Sequence, residues 1–462
     1  MKLIGNDTVA AIATPVGEGA ISIVRVSGAD AISLADSVFE GRSGLSEAHG
    51  YTVHHGKLIR KDGSLVDEVL VTVFREPYSF TGENSVEISC HGGMLVTAKV
   101  LETLLAGGAR QAEPGEFTKR AFLNGKMDLS RAEAVADLIA SKSQRAIRAS
   151  LEQLEGKLAD QVGIMKAEIV NLCSLLELEL DFSEEGIALV PGNEILHRIT
   201  TVRGRIEELI RSYELGRISR EGVSVVILGG PNVGKSSVFN SLLQNDRAIV
   251  SPVPGTTRDS IEESISINGI LFRLSDTAGL RESGDMVEMD GITRTKSRAA
   301  KSDLAIVVVD VADRSDRIGI EQIKKVVAHE KVLVAYNKID LLNGDMDCFK
   351  RIGLSESDAS VWVSAKTGAG MDSLRDGLAK LVMGTSSGND DGVTITNLRH
   401  RNALARANDF LCNAHSAVQK GENGEIIAFE LREAIGAISE ITGEVTTDDI
   451  LNNIFEKFCI GK

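Results

Sequence analysis

A strand that runs straight into a Gly-x-x-x-x-Gly-Lys-Ser loop restricts the fold of this chain more than any other feature. The apolar run at 223–228 leads into Gly229 to Ser236, and a helical segment follows. The glycines let main-chain N–H groups turn toward phosphate oxygens, and the helix N-terminus adds partial positive charge. We therefore expect a nucleotide triphosphate site at the end of a strand in a parallel, doubly wound α/β sheet.

Each residue of this loop has an expected role. Lys235 is predicted to reach the β- and γ-phosphates, and Ser236 to hold Mg²⁺ through its hydroxyl. The nucleotide-binding residues predicted here are Asn232, Val233, Gly234, Lys235, Ser236 and Ser237.

Two later motifs contribute to the same site. The strand at 271–275 ends in Asp276-Thr277-Ala278-Gly279, which offers a carboxylate for the Mg²⁺ shell and a glycine N–H to sense the γ-phosphate. The loop at 254–259 supplies Thr257, a threonine expected to contact Mg²⁺. Lys235, Thr257 and Asp276 are accordingly predicted to take part in hydrolysis.

The base is predicted to be guanine. Strand 332–336 ends in Asn337-Lys338-Ile339-Asp340, and Asp340 can accept from both N1–H and the N2 amine of guanine, whereas adenine offers neither donor. Ser364-Ala365-Lys366 follows the next strand and is placed to meet the guanine oxygen. Four motifs in this order predict a GTPase.

One position departs from the Ras-type pattern. Ras-type GTPases orient the attacking water with a glutamine directly after the Asp-x-x-Gly glycine, and this chain has Leu280 there. Another group must therefore do this, and the stretch 281–288 offers carboxylates while Asn232 offers a cation ligand.

The length of 462 residues predicts several domains. Strand and helix patterns alternate over 1–118, helical periodicity covers 119–221, β-branched runs alternate with helices over 222–384, and helices return over 385–462. The fold class predicted is α/β and α multidomain, in which an α/β unit is inserted into one discontinuous helical bundle.

Composition excludes some functions. The net charge of −15 and an aromatic content of 4% are unlike a standalone basic nucleic-acid binder or a base-stacking platform. The basic stretch 119–148 is expected to be a solvated face rather than an RNA site. Five scattered cysteines indicate neither disulfides nor zinc and favour a reducing cytosol, and the apolar runs are too short to span a membrane.

The chain resembles the MnmE (TrmE) family of bacterial and organellar tRNA-modification GTPases over essentially its whole length. Besides the nucleotide motifs, the stretches that carry the resemblance are 7–15, 24–28, Glu87 with 91–93, 114–118, 122–129 and 458–462.

The resemblance implies a function in tRNA modification. Family members, with a flavin-dependent MnmG-type partner, add an aminomethyl-type or carboxymethylaminomethyl group to C5 of the wobble uridine of certain tRNAs, and a tetrahydrofolate supplies the carbon. It implies that 1–118 is a folate-binding and dimerisation domain, that the inserted unit is a Ras-like P-loop GTPase domain, and that the protein is a cytoplasmic homodimer. The residues implied to contact 5-formyl-tetrahydrofolate or a related folate are Arg25, Glu87, Lys126 and Lys462.

The resemblance also answers the missing glutamine. It implies a K⁺ ion where other GTPases use an arginine, with hydrolysis stimulated when two GTPase domains meet, and it assigns the positioning of the water to Glu288. The implied K⁺ ligands are Asn232, Ser251, Val253 and Thr256, of which Ser251 and Thr256 also count as nucleotide-binding.

Three questions stay open at this stage. Cys459 in the terminal Cys-Ile-Gly-Lys has either a chemical role, nucleophilic or redox, or a structural one. An RNA-chaperone or ribosome-assembly GTPase of the Era type shares the nucleotide motifs, but it would carry a compact basic RNA-binding appendage, whereas residues 1–118 are acidic. A third alternative is a self-sufficient folate-dependent transferase whose GTPase domain only regulates it.

Overall fold

The computed structural model describes residues 7–181, 190–246, 262–276, 302–312, 332–342, 359–384 and 393–462. The chain separates into two compact units, which are described individually below. The first combines residues 1–139, 153–204 and 403–462, and the second combines residues 140–152 and 205–402.

The first unit contains a seven-stranded sheet. Its strands, in the order β3-β4-β5-β6-β2-β1-β7, pair antiparallel except for the parallel pair of β1 and β7. Its strands are β1 (Val9–Ile12), β2 (Ile21–Ser27), β3 (Phe39–Gly41), β4 (Thr52–Ile59), β5 (Leu65–Phe74), β6 (Ser85–His91) and β7 (Arg110–Gln111), and its first helices are α1 (Ala31–Asp36) and α2 (Met94–Gly107).

Alternation along β6 divides its side chains between the two faces of this sheet. Val86, Ile88 and Cys90 are buried in the hydrophobic core together with residues of α1 and α2. Glu87 lies between these positions and therefore points to the opposite face, where its cross-strand partner on β2 is Arg25. The strand pattern thus places a carboxylate and a guanidinium directly opposite each other.

The helical stripe from 151 to 176 is not one long helix, as its periodicity predicts. It divides into α5 (Gln144–Glu155) and α6 (Lys157–Asp181), because Gly156 lies between them in the left-handed region with φ +96°. A Cβ at Gly156 would lie 2.0 Å from Arg131 Nη2, so glycine is also the residue that fits. The other helices before the second sheet are α3 (Glu116–Leu123), α4 (Leu129–Ala140) and α7 (Gly192–Glu221).

Helices from opposite ends of the chain pack together in the first unit. The Cys173 thiol of α6 donates to the main-chain oxygen of Ala428, at an S···O distance of 3.7 Å, and Arg432 pairs with Glu177 at 3.0 Å. Both partners belong to α11 (Gly424–Thr442), which lies between α10 (Leu398–Lys420) and α12 (Asp448–Phe455). The predicted discontinuous helical bundle is confirmed.

The second unit contains a six-stranded sheet in the order β13-β12-β11-β8-β10-β9. It comprises β8 (Val223–Leu228), β9 (Glu262–Ile267), β10 (Ile270–Asp276), β11 (Leu304–Asp310), β12 (Val332–Asn337) and β13 (Ser360–Trp362), with α8 (Lys235–Asp246) and α9 (Met371–Met383).

This second sheet is not wholly parallel, as its β-branched runs suggest. The edge strand β9 pairs antiparallel with β10, because Asn268 and Gly269, both with positive φ, form a tight hairpin turn between them. The remaining pairs are parallel. Residues 304–309 of β11 are all buried, as expected for a central parallel strand covered on both faces.

The basic stretch 119–148 does not form one solvated face. Arg120 has a side-chain exposure of only 1% and is bonded to carboxylates, while Arg131 and Arg148 pair with Asp128 and Glu152. The solvated-face interpretation is therefore wrong for Arg120. The predicted multidomain α/β and α class is confirmed, while the domain boundaries at 118, 221 and 384 stay predictions. In the ranges that the structure describes, no helix is long and apolar enough to cross a membrane.

Candidate functional site

The loop between β8 and α8 forms a concave turn of main chain. Gly229 and Gly234 have φ +150° and +96°, which glycine adopts without strain. A Cβ at Gly229 would lie 2.3 Å from the Val308 main-chain oxygen, and one at Gly234 would lie 2.3 Å from Asn337 Nδ2. The loop therefore fits against its neighbours only with these glycines, leaving its N–H groups at the start of α8 for an anion.

Lys235 places its positive charge at this loop. Its ammonium Nζ donates to the main-chain oxygens of Gly230 at 2.6 Å and Gly229 at 3.2 Å. Val233 is buried, whereas Asn232, Ser236 and Ser237 are exposed, and Asn232 has φ +62°. The predicted phosphate residues thus form one turn with accessible side chains around a positioned lysine.

The end of β12 lies beside this loop. Asn337, which is buried, donates from Nδ2 to the main-chain oxygen of Val233 at 2.9 Å and accepts from the Ala365 N–H at 3.1 Å. Lys338 donates to the main-chain oxygen of Asn232 at 2.9 Å. The base motif and the phosphate loop, about a hundred residues apart in sequence, are therefore hydrogen-bonded into one site.

Asp340 has a fixed orientation. The hydroxyl of Ser364, which is fully buried, donates to Asp340 Oδ1 at 2.6 Å. This bond, with the charges of Lys366 and Lys338, holds the pKa of Asp340 below its ordinary value. Asp340 is thus an ionised acceptor directed by Ser364, as recognition of two guanine donors requires. Lys366 itself is exposed.

Several predicted nucleotide residues cannot be located. Asp276 ends β10, and its cross-strand partner is Ile227 of β8, so its main chain lies next to the start of the phosphate loop. Its side chain lies outside what the structure describes. The residues that lie wholly outside the described ranges are Ser251, Val253, Thr256, Thr257, Thr277, Ala278, Gly279 and Glu288.

A second group of predicted residues meets on the open face of the first sheet. Arg25 donates from Nε and Nη2 to Glu87 Oε1 at 2.9 and 2.7 Å, and the two side chains are 16% and 26% exposed. The guanidinium carbon of Arg25 lies 5.5 Å from the ring centroid of Phe80 and 5.6 Å from that of Phe117. A partly exposed ion pair with aromatic walls can bind a flat, polar ligand.

The C-terminal tail brings Lys462 to the same place. The N–H of Phe117 donates to the Lys462 main-chain oxygen at 3.2 Å, and the N–H of Gly115 donates to that of Cys459 at 3.4 Å. Gly461 has φ +95°, and a Cβ there would lie 2.2 Å from the Ile12 main-chain oxygen. The tail therefore lies directly against the end of β1.

The charges around Lys462 show which groups are its neighbours. Burial and the positive charge of Arg25 lower the pKa of Lys462, and the charges of Glu87 and Cys459 oppose that shift. Lys126 lies at one side, where its Nζ donates to the Pro77 main-chain oxygen at 2.9 Å. All four predicted folate residues thus lie around the segment 77–87, with Lys126 outside the central charge cluster.

The thiols of the described residues carry no bond. Cys90, Cys173, Cys412 and Cys459 are free, and Cys459 is exposed near Lys462. Neither a chemical nor a structural role for Cys459 follows from this position. Within the described part of the chain, no three His, Cys, Asp or Glu side chains form a group suited to a metal ion.

Three site features were absent from the sequence-based predictions. Asp310 ends β11 and accepts from Lys338 Nζ at 2.5 Å, and its position after an apolar strand was an available signal. Phe80 and Phe117 flank Arg25, yet aromatic residues give no sequence sign of packing on a charge. Their partner on the other strand is found only from the fold.

Comparisons with known proteins agree on one family. The family model described as GTP-binding protein TrmE N-terminus matches residues 8–126, and that described as MnmE helical domain matches residues 129–459. The tRNA modification GTPase MnmE of Chlorobium phaeobacteroides is 44% identical over 468 residues, covering 99% of this chain and 97% of the relative. That of Chlorobaculum tepidum is 44% identical over 461 residues, covering 98% and 97%.

One solved structure with some similarity is an Era variant from Aquifex aeolicus bound to GDP and AlF₄⁻. It is 27% identical, covers 41% of this chain and 66% of its own, and has a TM-score of 0.28.

Proposed function

The chain belongs to the MnmE family of tRNA modification GTPases, and we propose on that basis that it couples GTP hydrolysis to a folate-dependent modification of tRNA. With a flavin-dependent MnmG-type partner, it helps to add an aminomethyl-type or carboxymethylaminomethyl group to C5 of the wobble uridine of certain tRNAs. The carbon comes from a tetrahydrofolate. The observation that supports this most is the match to the family along nearly the entire chain.

In the nucleotide site, GTP binds with its phosphates at Gly229 to Ser236 and its base at Asp340. The exposed hydroxyl of Ser236 fits a Mg²⁺ ligand, and Thr257 is the second proposed ligand. Mg²⁺ when bound neutralises charge on the β- and γ-phosphates. Lys235 adds a positive charge at the same oxygens, and Glu288 orients the water.

The same site is proposed to use K⁺. The exposed Asn232 side chain, on main chain with positive φ, fits a cation ligand, and Ser251, Val253 and Thr256 complete the set. K⁺ when bound adds the positive charge that an arginine supplies in other GTPases. This proposal explains how a chain with Leu280 in place of glutamine can hydrolyse GTP.

GTP hydrolysis is therefore expected to be at least about tenfold faster in KCl than in NaCl at equal ionic strength. The reason is that a set of amide and carbonyl oxygens spaced for K⁺ binds the smaller Na⁺ poorly. Phosphate release under both salts measures this, and Asn232→Ala should remove most of the difference. Equal rates in the two salts would refute the K⁺ assignment.

In the first unit, the folate binds beside Arg25 and Glu87. Glu87 Oε1 already accepts from Arg25, and a carboxylate can also pair with the amine donors of a pterin. Arg25 and Lys462 suit the carbonyl and carboxylate oxygens of a folate, and Lys126 supplies a further positive charge at the edge. The folate when bound supplies the one-carbon group.

The tail provides a test of the folate site. Wild-type protein is expected to bind 5-formyl-tetrahydrofolate, and Lys462→Ala to weaken binding about 10–100-fold, as for one lost charged hydrogen bond. Gly461→Ala should weaken binding comparably, because its Cβ would lie 2.2 Å from the Ile12 oxygen and must displace the tail. Titration calorimetry measures both. Ile460→Ala, at a 52% exposed side chain, is the control. Unchanged affinity in Lys462→Ala and Gly461→Ala would contradict this site.

We propose further that the protein is a homodimer. Ile21, Val53 and Leu70 are 64%, 59% and 46% exposed. Cross-strand pairing places them on the same face of the sheet as Arg25 and Glu87. Exposed apolar side chains on one sheet face favour contact with a second copy.

The net charge of −15 favours a tRNA held mainly by the MnmG-type partner. We place the reaction in the cytoplasm because its substrate is tRNA. The Era-type alternative requires a basic RNA-binding appendage, and residues 8–126 match the TrmE N-terminus instead.

A further inference from the structure

Arg120 is a buried charge for which the proposed reaction has no direct use. Its side chain is 1% exposed, so it cannot touch a ligand bound at the surface. Its Nη2 donates to Asp7 Oδ1 at 2.8 Å and to Glu116 Oε1 at 2.9 Å, and its Nη1 donates to Glu83 Oε2 at 3.2 Å. One guanidinium therefore joins three carboxylates from three segments of the first unit.

Such a group contributes little to stability by itself. Removing a charge from water costs several kcal/mol, and apolar side chains of similar volume often replace buried ion pairs without loss. Ion pairs of this kind are, however, suited to fixing one arrangement of segments, because the planar fork of arginine bonds in set directions. The question is then which segments Arg120 holds, and what they carry.

Two of its partners adjoin the rings beside Arg25. Glu116 directly precedes Phe117 on α3, and Glu83 lies three residues after Phe80 in the loop between β5 and β6. These two rings, the aromatic pair, have centroids 5.6 and 5.5 Å from the guanidinium carbon of Arg25. Arg120 thus bonds the helix that carries one ring to the loop that carries the other.

Other contacts keep Glu83 in place within that loop. Its Oε2 accepts from the Ser27 hydroxyl at 2.9 Å, and its main-chain oxygen accepts from the Ser79 hydroxyl at 2.6 Å. Asn124, at the end of α3, donates to the Thr81 main-chain oxygen at 2.8 Å. The loop therefore meets α3 at two points, and only the one through Glu83 depends on Arg120.

We propose that Arg120 is a positioning residue for folate, which sets the spacing of the aromatic pair and thereby directs Arg25 and its partner Glu87 toward the ligand. This inference rests on the proposed folate site. The ligand class is a reduced pterin with a carboxylate tail, and Arg120 acts on it without contact.

The first test breaks the link and leaves Arg120 in place. Glu83→Gln keeps the shape but removes the charge at one end, and we expect affinity of the full-length protein for 5-formyl-tetrahydrofolate to fall about tenfold. Arg120→Lys should do the same, because a single ammonium cannot bridge the three carboxylates. Arg110→Lys is the matched control, since Arg110 bonds Asp7 and Glu116 but has no printed bond to Glu83. It should lower the melting temperature while affinity stays within about twofold.

The second test asks whether the effect passes through Arg25. In an Arg25→Lys background, adding Glu83→Gln should change the affinity by less than about twofold, because the planar group that the aromatic pair holds is already lost. A tenfold loss in both backgrounds would overturn the proposal, as would wild-type affinity in Glu83→Gln. Affinity that falls in proportion to melting temperature in all variants, Arg110→Lys included, would also overturn it. If wild-type protein binds no folate, the proposed folate site fails and this inference fails with it.

Discussion

Asp340→Asn is expected to lower the efficiency of GTP hydrolysis about 10²–10⁴-fold, and to raise the use of XTP by a similar factor. The carboxylate of Asp340 accepts from both N1–H and the N2 amine of guanine, and each hydrogen bond to a charged group contributes about 1.5–3 kcal/mol. Xanthine has an oxygen where guanine has the amine. Asn offers one donor and one acceptor, which match that oxygen and N1–H.

The measurement is kcat/KM for GTP and XTP with both proteins. Asp372→Asn is a suitable control, because it removes one negative charge from the same unit at a side chain that is 96% exposed. Ser364→Ala should reduce the preference for GTP in part, since the Ser364 hydroxyl directs Asp340 at 2.6 Å. A variant Asp340→Asn that still prefers GTP to XTP would show that another group reads the base.

Lys235→Ala is expected to lower the kcat of GTP hydrolysis about 10²–10³-fold, the loss typical when one positioned donor is removed from a charge that develops in the transition state. Its Nζ lies within 2.6 Å of the Gly230 oxygen, so in the folded protein its charge is already directed to the phosphate loop. Lys235→Arg should remain impaired because the larger group does not fit the same turn.

Single-turnover phosphate release at saturating GTP and Mg²⁺ measures this prediction. Lys380→Ala, at an exposed lysine of the same unit, should hydrolyse GTP like the wild type. The melting temperatures of the variants show whether each is folded. A kcat for Lys235→Ala within a few-fold of wild type would remove Lys235 from the catalytic group.

The nucleotide site could be predicted in detail because its motifs follow the ends of parallel strands. Leu228, Asp276, Asn337 and Trp362 end or nearly end β8, β10, β12 and β13, and such ends share one edge of a sheet. Each motif therefore reaches the site without any knowledge of long-range packing. The antiparallel β9 was missed, although the Asn268-Gly269 turn was a local signal for it.

The features that sequence did not predict depend on distant partners. Arg120 is part of a basic stretch, and its burial depends on Asp7 and Glu83, which are 113 and 37 residues away. A single glycine in a helical pattern is usually tolerated, so the periodicity gave no reason to end a helix at Gly156. Only the approach of Arg131 to that glycine makes the break necessary.

The folate residues lie between these two cases. Arg25 and Glu87 alternate with buried residues on their strands, but on sequence alone each is an ordinary surface charge. They became candidates only through the family resemblance. The structure supplies the physical reason, since cross-strand pairing joins them and the tail adds Lys462.

The most direct test of the central claim is the mass of the wobble uridine in tRNA from cells that lack this protein. We expect the C5-modified uridine to disappear, wild-type protein to restore it, and Lys235→Ala to leave it absent although the variant is folded. Normal modification in the deleted cells would contradict a role in this reaction. Full restoration by Lys235→Ala would contradict the coupling to GTP hydrolysis and favour a transferase that its GTPase domain merely regulates.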